Sequence, residues 1–259
     1  MATRRIPFPR EHGAWAMLTS AVLLAWAHPW VRGWPAAVLT VLFVLSFAIQ
    51  EPLRATAAGK RGGRRWIAIY GAVLLAGAGW LVARQRVFVL IPAAGAGVLL
   101  TWIDLRLRRR KQHHSFLLRF FGGAGLTLAL PAILALLHPT RAAYALVLWA
   151  LTLAYFASRL VVVRARNEMR RSGPGATRWK RGNRAAQAGL YCLLGAFVAL
   201  GWATPFVFAA YLPGSWAAFH IRVDLELRRV GMREVAQLAW FVVALLGSYH
   251  LGRAYALPG

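Results

Sequence analysis

Apolar residues run in long stretches along this chain, separated by short polar connections, and the stretches are too long to be strands. Nine of them predict membrane-spanning helices, over about residues 13–30, 34–50, 66–83, 87–103, 116–137, 142–163, 185–202, 204–221 and 235–252. Each runs about 17–22 residues, the length a helix needs to cross roughly 30 Å of hydrocarbon. Trp15, Trp30, Trp34, Trp66, Trp80, Trp102 and Trp202 lie at or near span ends, where an amphipathic ring suits the lipid–water boundary. The expected fold is an all-α polytopic membrane protein, a nine-helix bundle forming one transmembrane domain over residues 1–259. Only Ala203-Thr204-Pro205 separates the seventh and eighth spans. Ser172-Gly173-Pro174-Gly175 marks a turn in the longest connection, a place that would set six spans apart from three without being a domain linker.

Composition and charge sharpen this pattern. The chain is 59% apolar, with a net charge of +25 from 32 Lys+Arg against 7 Asp+Glu. In a soluble protein such a charge points to nucleic acid. Here the basic residues sit between apolar spans and read as topogenic, so no nucleic-acid partner is expected. All of them except Arg32, Arg84, Arg86, Arg141 and Arg253 fall on alternate connections, which the positive-inside rule makes cytoplasmic. The N-terminus is then inside and the C-terminus outside. Merging spans seven and eight would put the last basic cluster on the wrong side. The acids Glu11, Glu51, Asp104, Glu168, Asp224, Glu226 and Glu234 fall on the same inner side, close to span ends. A polar site is therefore expected to open toward the cytoplasm. The first span reads as a retained helix rather than a cleaved signal. Cys192 is the single cysteine; it excludes an internal disulfide and reads as a packing residue.

Three polar groups stand out. Glu11-His12-Gly13 either caps the first helix through its dipole or supplies a carboxylate–imidazole pair that moves protons, with Gly13 allowing close backbone approach. In Gln50-Glu51-Pro52-Leu53-Arg54, Pro52 is expected to end span two. Glu51 would then oppose the helix dipole, unless Arg54 or Arg10 offsets it. It reads either as a functional carboxylate or as half of an interfacial salt bridge. Arg159 lies inside an apolar run, which marks a functional site or an arginine snorkelling to the headgroups. With Arg164, Arg166, Asn167 and Glu168 it can present guanidinium forks, which match phosphate and carboxylate, to an inner cavity. Asp104 with Arg106, and Asp224 and Glu226 with Arg222 and Arg228, read as interfacial ion pairs, although Asp224 also stands at helical spacing from His220. His113-His114 lacks a third ligand at a recognisable spacing, so no metal site is expected. Phe120-Phe121-Gly122-Gly123-Ala124-Gly125 reads as a close helix contact.

Pro9-Arg10-Glu11-His12-Gly13-Ala14-Trp15 resembles the opening motif of the YwiC-like family of bacterial integral membrane proteins. That resemblance implies a multi-pass protein of the bacterial inner membrane and supplies no reaction. More distantly, the plan resembles the UbiA superfamily of intramembrane prenyltransferases. Its members have nine helices, an inside N-terminus and a polar site above the cytoplasmic ends of helices two and six. In that superfamily two Asp-rich motifs hold magnesium on a prenyl diphosphate. The matching positions here read Gln50-Glu51-Pro52-Leu53-Arg54 and Val163-Arg164-Ala165-Arg166-Asn167-Glu168, one carboxylate each beside arginines. The resemblance thus implies an altered, UbiA-like transferase relative with degenerate motifs. Magnesium is disfavoured, and guanidinium groups neutralise the anion directly. The expected partner is a membrane lipid with an anionic head, such as a prenyl or polyprenyl phosphate. Gln50, Arg54, Arg159, Arg164, Asn167 and Glu168 would bind it, and Glu11, His12 and Glu51 would do the proton work. Two other readings stay open. A transporter or permease for a small anion or lipid needs polar groups at mid-depth and access from both sides, which this chain supplies poorly. A non-catalytic protein would use its basic inner face to hold anionic lipid or a partner.

Overall fold

A computed structural model describes residues 12–59, 63–85, 116–137, 139–172, 176–221 and 227–251, together with positions 95, 98, 99, 102, 103 and 106. The described residues form helices and short turns, with no strand among them. The helices are α1 (His12–Trp26), α2 (Trp34–Ala48), α3 (Gln50–Ala57), α4 (Gly63–Gln85), α5 (Phe116–Thr127), α6 (Ala129–Leu137), α7 (Ala142–Ser172), α8 (Ala176–Ala199), α9 (Val207–Phe219) and α10 (Leu227–Leu251). The fourth expected span lies mostly outside the described residues; the other eight coincide with helix. Four stretches among the described residues are long and apolar enough to cross a membrane: Trp34–Ala57, Gly63–Arg84, Ala142–Arg171 and Arg229–His250. Gly13–Trp26, Arg119–Ala135 and Val207–Phe219 are shorter apolar helices.

Prolines set the interruptions. Pro52 does not stop the second span, contrary to the sequence expectation, because helix continues to Ala57. A proline has no N–H for the carbonyl four residues back. The break at Ile49 sits three residues before Pro52, and the bond from Leu53 N to Ile49 O, at 3.1 Å, resumes the ladder. The break between α5 and α6 at Leu128 has the same offset from Pro131, and Ala132 N rejoins Leu128 O at 3.1 Å. Thr127 Oγ1 donates back to Gly123 O and Ala124 O, both at 3.0 Å, a pattern that bends helices. In both stretches helix resumes past the proline rather than ending at it.

The chain divides into two compact units, Met1–Pro139 and Thr140–Gly259. The boundary is not the Ser172–Gly175 turn, because α7 and α8 on either side of that turn pack against each other. In the first unit α2 packs on α4 and α6, and α1 on α5 and α6. Leu18, Ala21, Leu24, Ala25, Ala36, Leu39, Ala129, Leu130 and Ile133 are fully buried there. The alanines let backbones approach, which is how helices associate where lipid removes any hydrophobic driving force between them. Gly123 serves the same end, since a Cβ there would lie 3.2 Å from Met17 Sδ. Trp26 Nε1 donates to Thr40 Oγ1 at 2.9 Å and ties α1 to α2.

In the second unit α9 packs on α7, α8 and α10. Its buried residues Val207, Ala210, Tyr211, Gly214, Ser215 and Ala218 follow the three-and-four spacing of one helix face. A turn before α9 separates it from α8. Gly201, at φ 70, sends its N–H to Val198 O at 3.0 Å, and Trp202 N bonds Phe197 O at 2.9 Å. This is a Schellman cap, which favours glycine in the left-handed region. Cys192 on α8 is exposed rather than packed.

Pro213 lies inside α9 without breaking it. Its missing N–H orphans the carbonyl of Ala209, and Trp240 of α10 donates its indole N–H to that oxygen at 2.8 Å. In lipid no water can replace such a donor. Trp240→Phe is therefore expected to cost about 1–3 kcal/mol. Adding Pro213→Ala, which restores a backbone donor for Ala209, should recover most of the loss. Thermal unfolding in a fixed detergent checks both, and a neutral Trp240→Phe would refute the assignment.

Candidate functional site

The first unit carries one group of candidates on α3. Gln50, Glu51 and Arg54 stand on its first two turns, and Arg54 Nη2 donates to Gln50 Oε1 at 3.3 Å. Because helix runs on past Pro52, Glu51 falls in the first turn of α3. The premise that it opposes a helix C-terminus disappears. Glu51 is half-buried. Gly63 at the start of α4 approaches this helix so closely that a Cβ there would sit 2.7 Å from Pro52 O. Glu11 and the side chain of His12 lie outside the described residues. Gly13 is exposed, and a Cβ at that position would meet nothing within 4 Å.

The second unit carries the other group on α7, which continues as helix well beyond its apolar part to Ser172. Arg164, Asn167, Glu168 and Arg171 lie three and four residues apart and so share one face. Arg164 and Asn167 are exposed and Glu168 is half-buried. The Arg164 guanidinium sits 5.6 Å from the centre of the Trp179 ring on α8, a cation–π contact that holds its orientation. Arg166 points the other way and is buried at 9% exposure.

Arg159 differs from its sequence reading. It neither snorkels nor waits for a ligand, being buried at 7% exposure. Its Nε donates to Glu234 Oε2 at 2.9 Å and its Nη2 to Glu234 Oε1. Its Nη1 donates to Gly214 O at 2.8 Å. One side chain from α7 thereby holds α10 by a bidentate fork and α9 by a backbone carbonyl. The anion that Arg159 binds is the protein's own. The signal was present in the sequence: an intramembrane guanidinium needs a carboxylate, and Glu234 stands at the start of the ninth span.

Further polar bonds converge on α9. Asn183 Nδ2 donates to Ala218 O at 2.7 Å, and Ser215 Oγ donates to Gln187 Oε1 at 3.3 Å, both from α8 residues missed in the sequence reading. Tyr211 Oη donates to Leu151 O at 2.5 Å. Tyr155 stacks on Phe241 at 4.0 Å between ring centres, one turn from Arg159. His220 ends α9 as its C-cap, so its helical spacing to Asp224 is not carried by that helix; Asp224 itself lies outside the described residues.

No group of three or more His, Cys, Asp or Glu side chains comes together among the described residues. His113-His114 falls outside them. The α3 and α7 groups each offer one carboxylate beside guanidinium groups, a donor set that does not fit magnesium, which asks for several oxygen ligands.

Membrane-length apolar helices and a buried polar core built from helix-to-helix bonds define the class: this is an all-helical membrane protein. Residues 8–134 match the family model described as YwiC-like protein, so this part of the chain is similar to the YwiC-like family. No curated protein and no solved structure matches the chain.

The fork makes a measurable demand on stability. Glu234→Ala leaves a buried guanidinium without its carboxylate and is expected to cost about 3–5 kcal/mol. Replacing both partners, as Arg159→Met with Glu234→Met, should cost far less because no charge is stranded. Unfolding midpoints in one detergent decide it, and a double variant as unstable as Glu234→Ala would sink the account.

Proposed function

We propose that this protein is a multi-pass protein of the bacterial inner membrane that binds a lipid with an anionic head at its cytoplasmic side. The lipid is a prenyl or polyprenyl phosphate, and the protein is an altered relative of UbiA-like transferases. The observation that carries the reading is the one exposed face of α7 with Arg164, Asn167, Glu168 and Arg171 beyond its apolar stretch. An acyl or prenyl tail lies along the apolar part of such a helix, and the head meets guanidinium groups where that part ends. Arg164 binds phosphate oxygens with its fork, and Asn167 supplies a neutral donor. Glu168 keeps the patch from holding anions indiscriminately. Arg159 is left out of the ligand set because Glu234 and Gly214 occupy it.

In the first unit, Gln50 and Arg54 form a matching polar pair beside Glu51, and Glu11, His12 and Glu51 keep the proton-transfer role. Proton abstraction or delivery by a carboxylate needs no metal, and no step here runs through one.

Lipids extracted from the purified full-length protein should contain a reproducible prenyl or polyprenyl phosphate by mass spectrometry. Arg164→Gln should lower its amount about tenfold, the loss of one charge-assisted contact. Glu51→Gln should leave the bound amount unchanged and slow its conversion. Recovery of bulk phospholipid alone would end the reading.

A further inference from the structure

The second unit holds a cleft of about 120 Å³ between the polar first turns of α8 and the end of α9, lined by Lys180, Asn183, Arg184, Ala218, Phe219 and His220. It involves none of the residues assigned to the prenyl phosphate. Lys180 and Arg184 stand four residues apart and share one face of α8. Asn183 lies between them, 2% exposed. Its amide orientation is fixed chemically. Ala218 O can only accept, so the group 2.7 Å from it is Nδ2. Asn183 lines the cleft, and its Oδ1 atom is buried and without a hydrogen-bond partner. A buried acceptor left unmet is costly, and a ligand that brings a donor relieves it.

His220 adds a second acceptor. Its Nδ1 lies 3.0 Å from Trp216 O and must donate to that carbonyl, which leaves Nε2 of the neutral ring able to accept. The cleft therefore combines two cations with acceptors for a neutral donor. An ammonium headgroup would meet Lys180 and Arg184 with the wrong sign, whereas a hydroxyl would not. At about 120 Å³ the cleft has room for one phosphate and a short hydroxylated group. A lipid source is favoured by α9 itself. Leu212, Trp216 and Phe219 are 56%, 70% and 46% exposed, and their four- and three-residue spacing forms an apolar stripe that ends at the cleft.

We infer that this cleft binds a phosphodiester lipid whose headgroup carries a free hydroxyl, the chemistry of a phosphoglycerol head. The phosphate sits on Lys180 and Arg184, a headgroup hydroxyl donates to Asn183 Oδ1, and the chains follow the α9 stripe.

Native mass spectrometry of the full-length protein, reloaded from mixed micelles, tests this with three probes. Phosphatidylglycerol should be retained about tenfold more than phosphatidylmethanol, which has the same charge and no hydroxyl. Lys180→Gln and Arg184→Gln should each cut phosphatidylglycerol retention about tenfold. Arg178→Gln removes an equal charge from the opposite side of α8 and should leave retention unchanged. Equal losses from Arg178→Gln and Arg184→Gln, or equal retention of the two lipids, would overturn the site. Water-soluble glycerol phosphate should not displace the lipid. Displacement that depends on Arg184 would reassign the cleft to a soluble phosphate ester and overturn the lipid assignment. The inference does not depend on the prenyl phosphate reading: failure to find that lipid would leave these three comparisons untouched.

Discussion

The second unit depends on one guanidinium. Arg159 joins α7 to α10 through the two oxygens of Glu234 and to α9 through Gly214 O. In water, helices of this size are held by hiding their apolar faces. In lipid that force is absent between helices, because the surroundings are as apolar as the side chains. Close packing and hydrogen bonds must then do the holding. The α9 helix shows the consequence most clearly. It is the shortest of the unit's helices, yet each neighbour bonds it: α7 through Arg159, α8 through Asn183 and Gln187, and α10 through Trp240. The fork is costly to desolvate, and a buried ion pair is weak evidence for net stability. Its contribution is specificity of position, since only one register of α7, α9 and α10 satisfies both oxygens and the carbonyl together.

Proline works in the same economy of backbone groups. Each proline in a helix orphans one carbonyl four residues back, and lipid offers no water to receive it. Pro52 and Pro131 lie where the helix can kink and resume. Pro213 is half-buried in the second unit, and there a neighbouring helix supplies the donor through Trp240. An exposed aromatic such as Trp240, 49% accessible, would otherwise pass as one more ring at the lipid boundary.

Much of the helical layout was legible in the sequence, because span length is dictated by bilayer thickness. Apolar runs at the expected positions became helices, and the break between the seventh and eighth spans follows from charge alternation as well as from Gly201. Helix ends and partners were less legible. A proline reads as a stop in one dimension, but whether the chain resumes depends on what can receive the orphaned carbonyl. Arg159 announced itself as anomalous, while its partner lay 75 residues away in sequence and looked like an ordinary interfacial acid. Asn183 and Gln187 gave no signal, since a polar residue at the start of a span looks topogenic until a neighbouring helix is placed against it. Cys192 failed for the opposite reason: burial in an apolar run is not burial in a protein when lipid is the solvent.

The same face of α8 separates two uses of polarity. Gln187 and Asn183 lie one turn apart on it, and both reach α9. Gln187 Oε1 accepts from Ser215 at 3.3 Å inside the packed layer. Asn183 stands one turn nearer the polar end and spends its donor on Ala218 O while its acceptor has none. One turn further still, Lys180 lies exposed at the cleft. Along one helix face, then, both amides are half committed, with Gln187 Nε2 and Asn183 Oδ1 each buried without a hydrogen-bond partner, and Lys180 beyond them is open. Cohesion has first claim wherever lipid surrounds the helix, because an unmet group there has no alternative. Capacity to bind something else begins where a side chain with an unspent group also borders a cleft, as Asn183 does and Gln187 does not. By that criterion Arg159 belongs to the scaffold despite being the most conspicuous charge in an apolar run, and the site lies where a quieter residue keeps one hydrogen bond unspent.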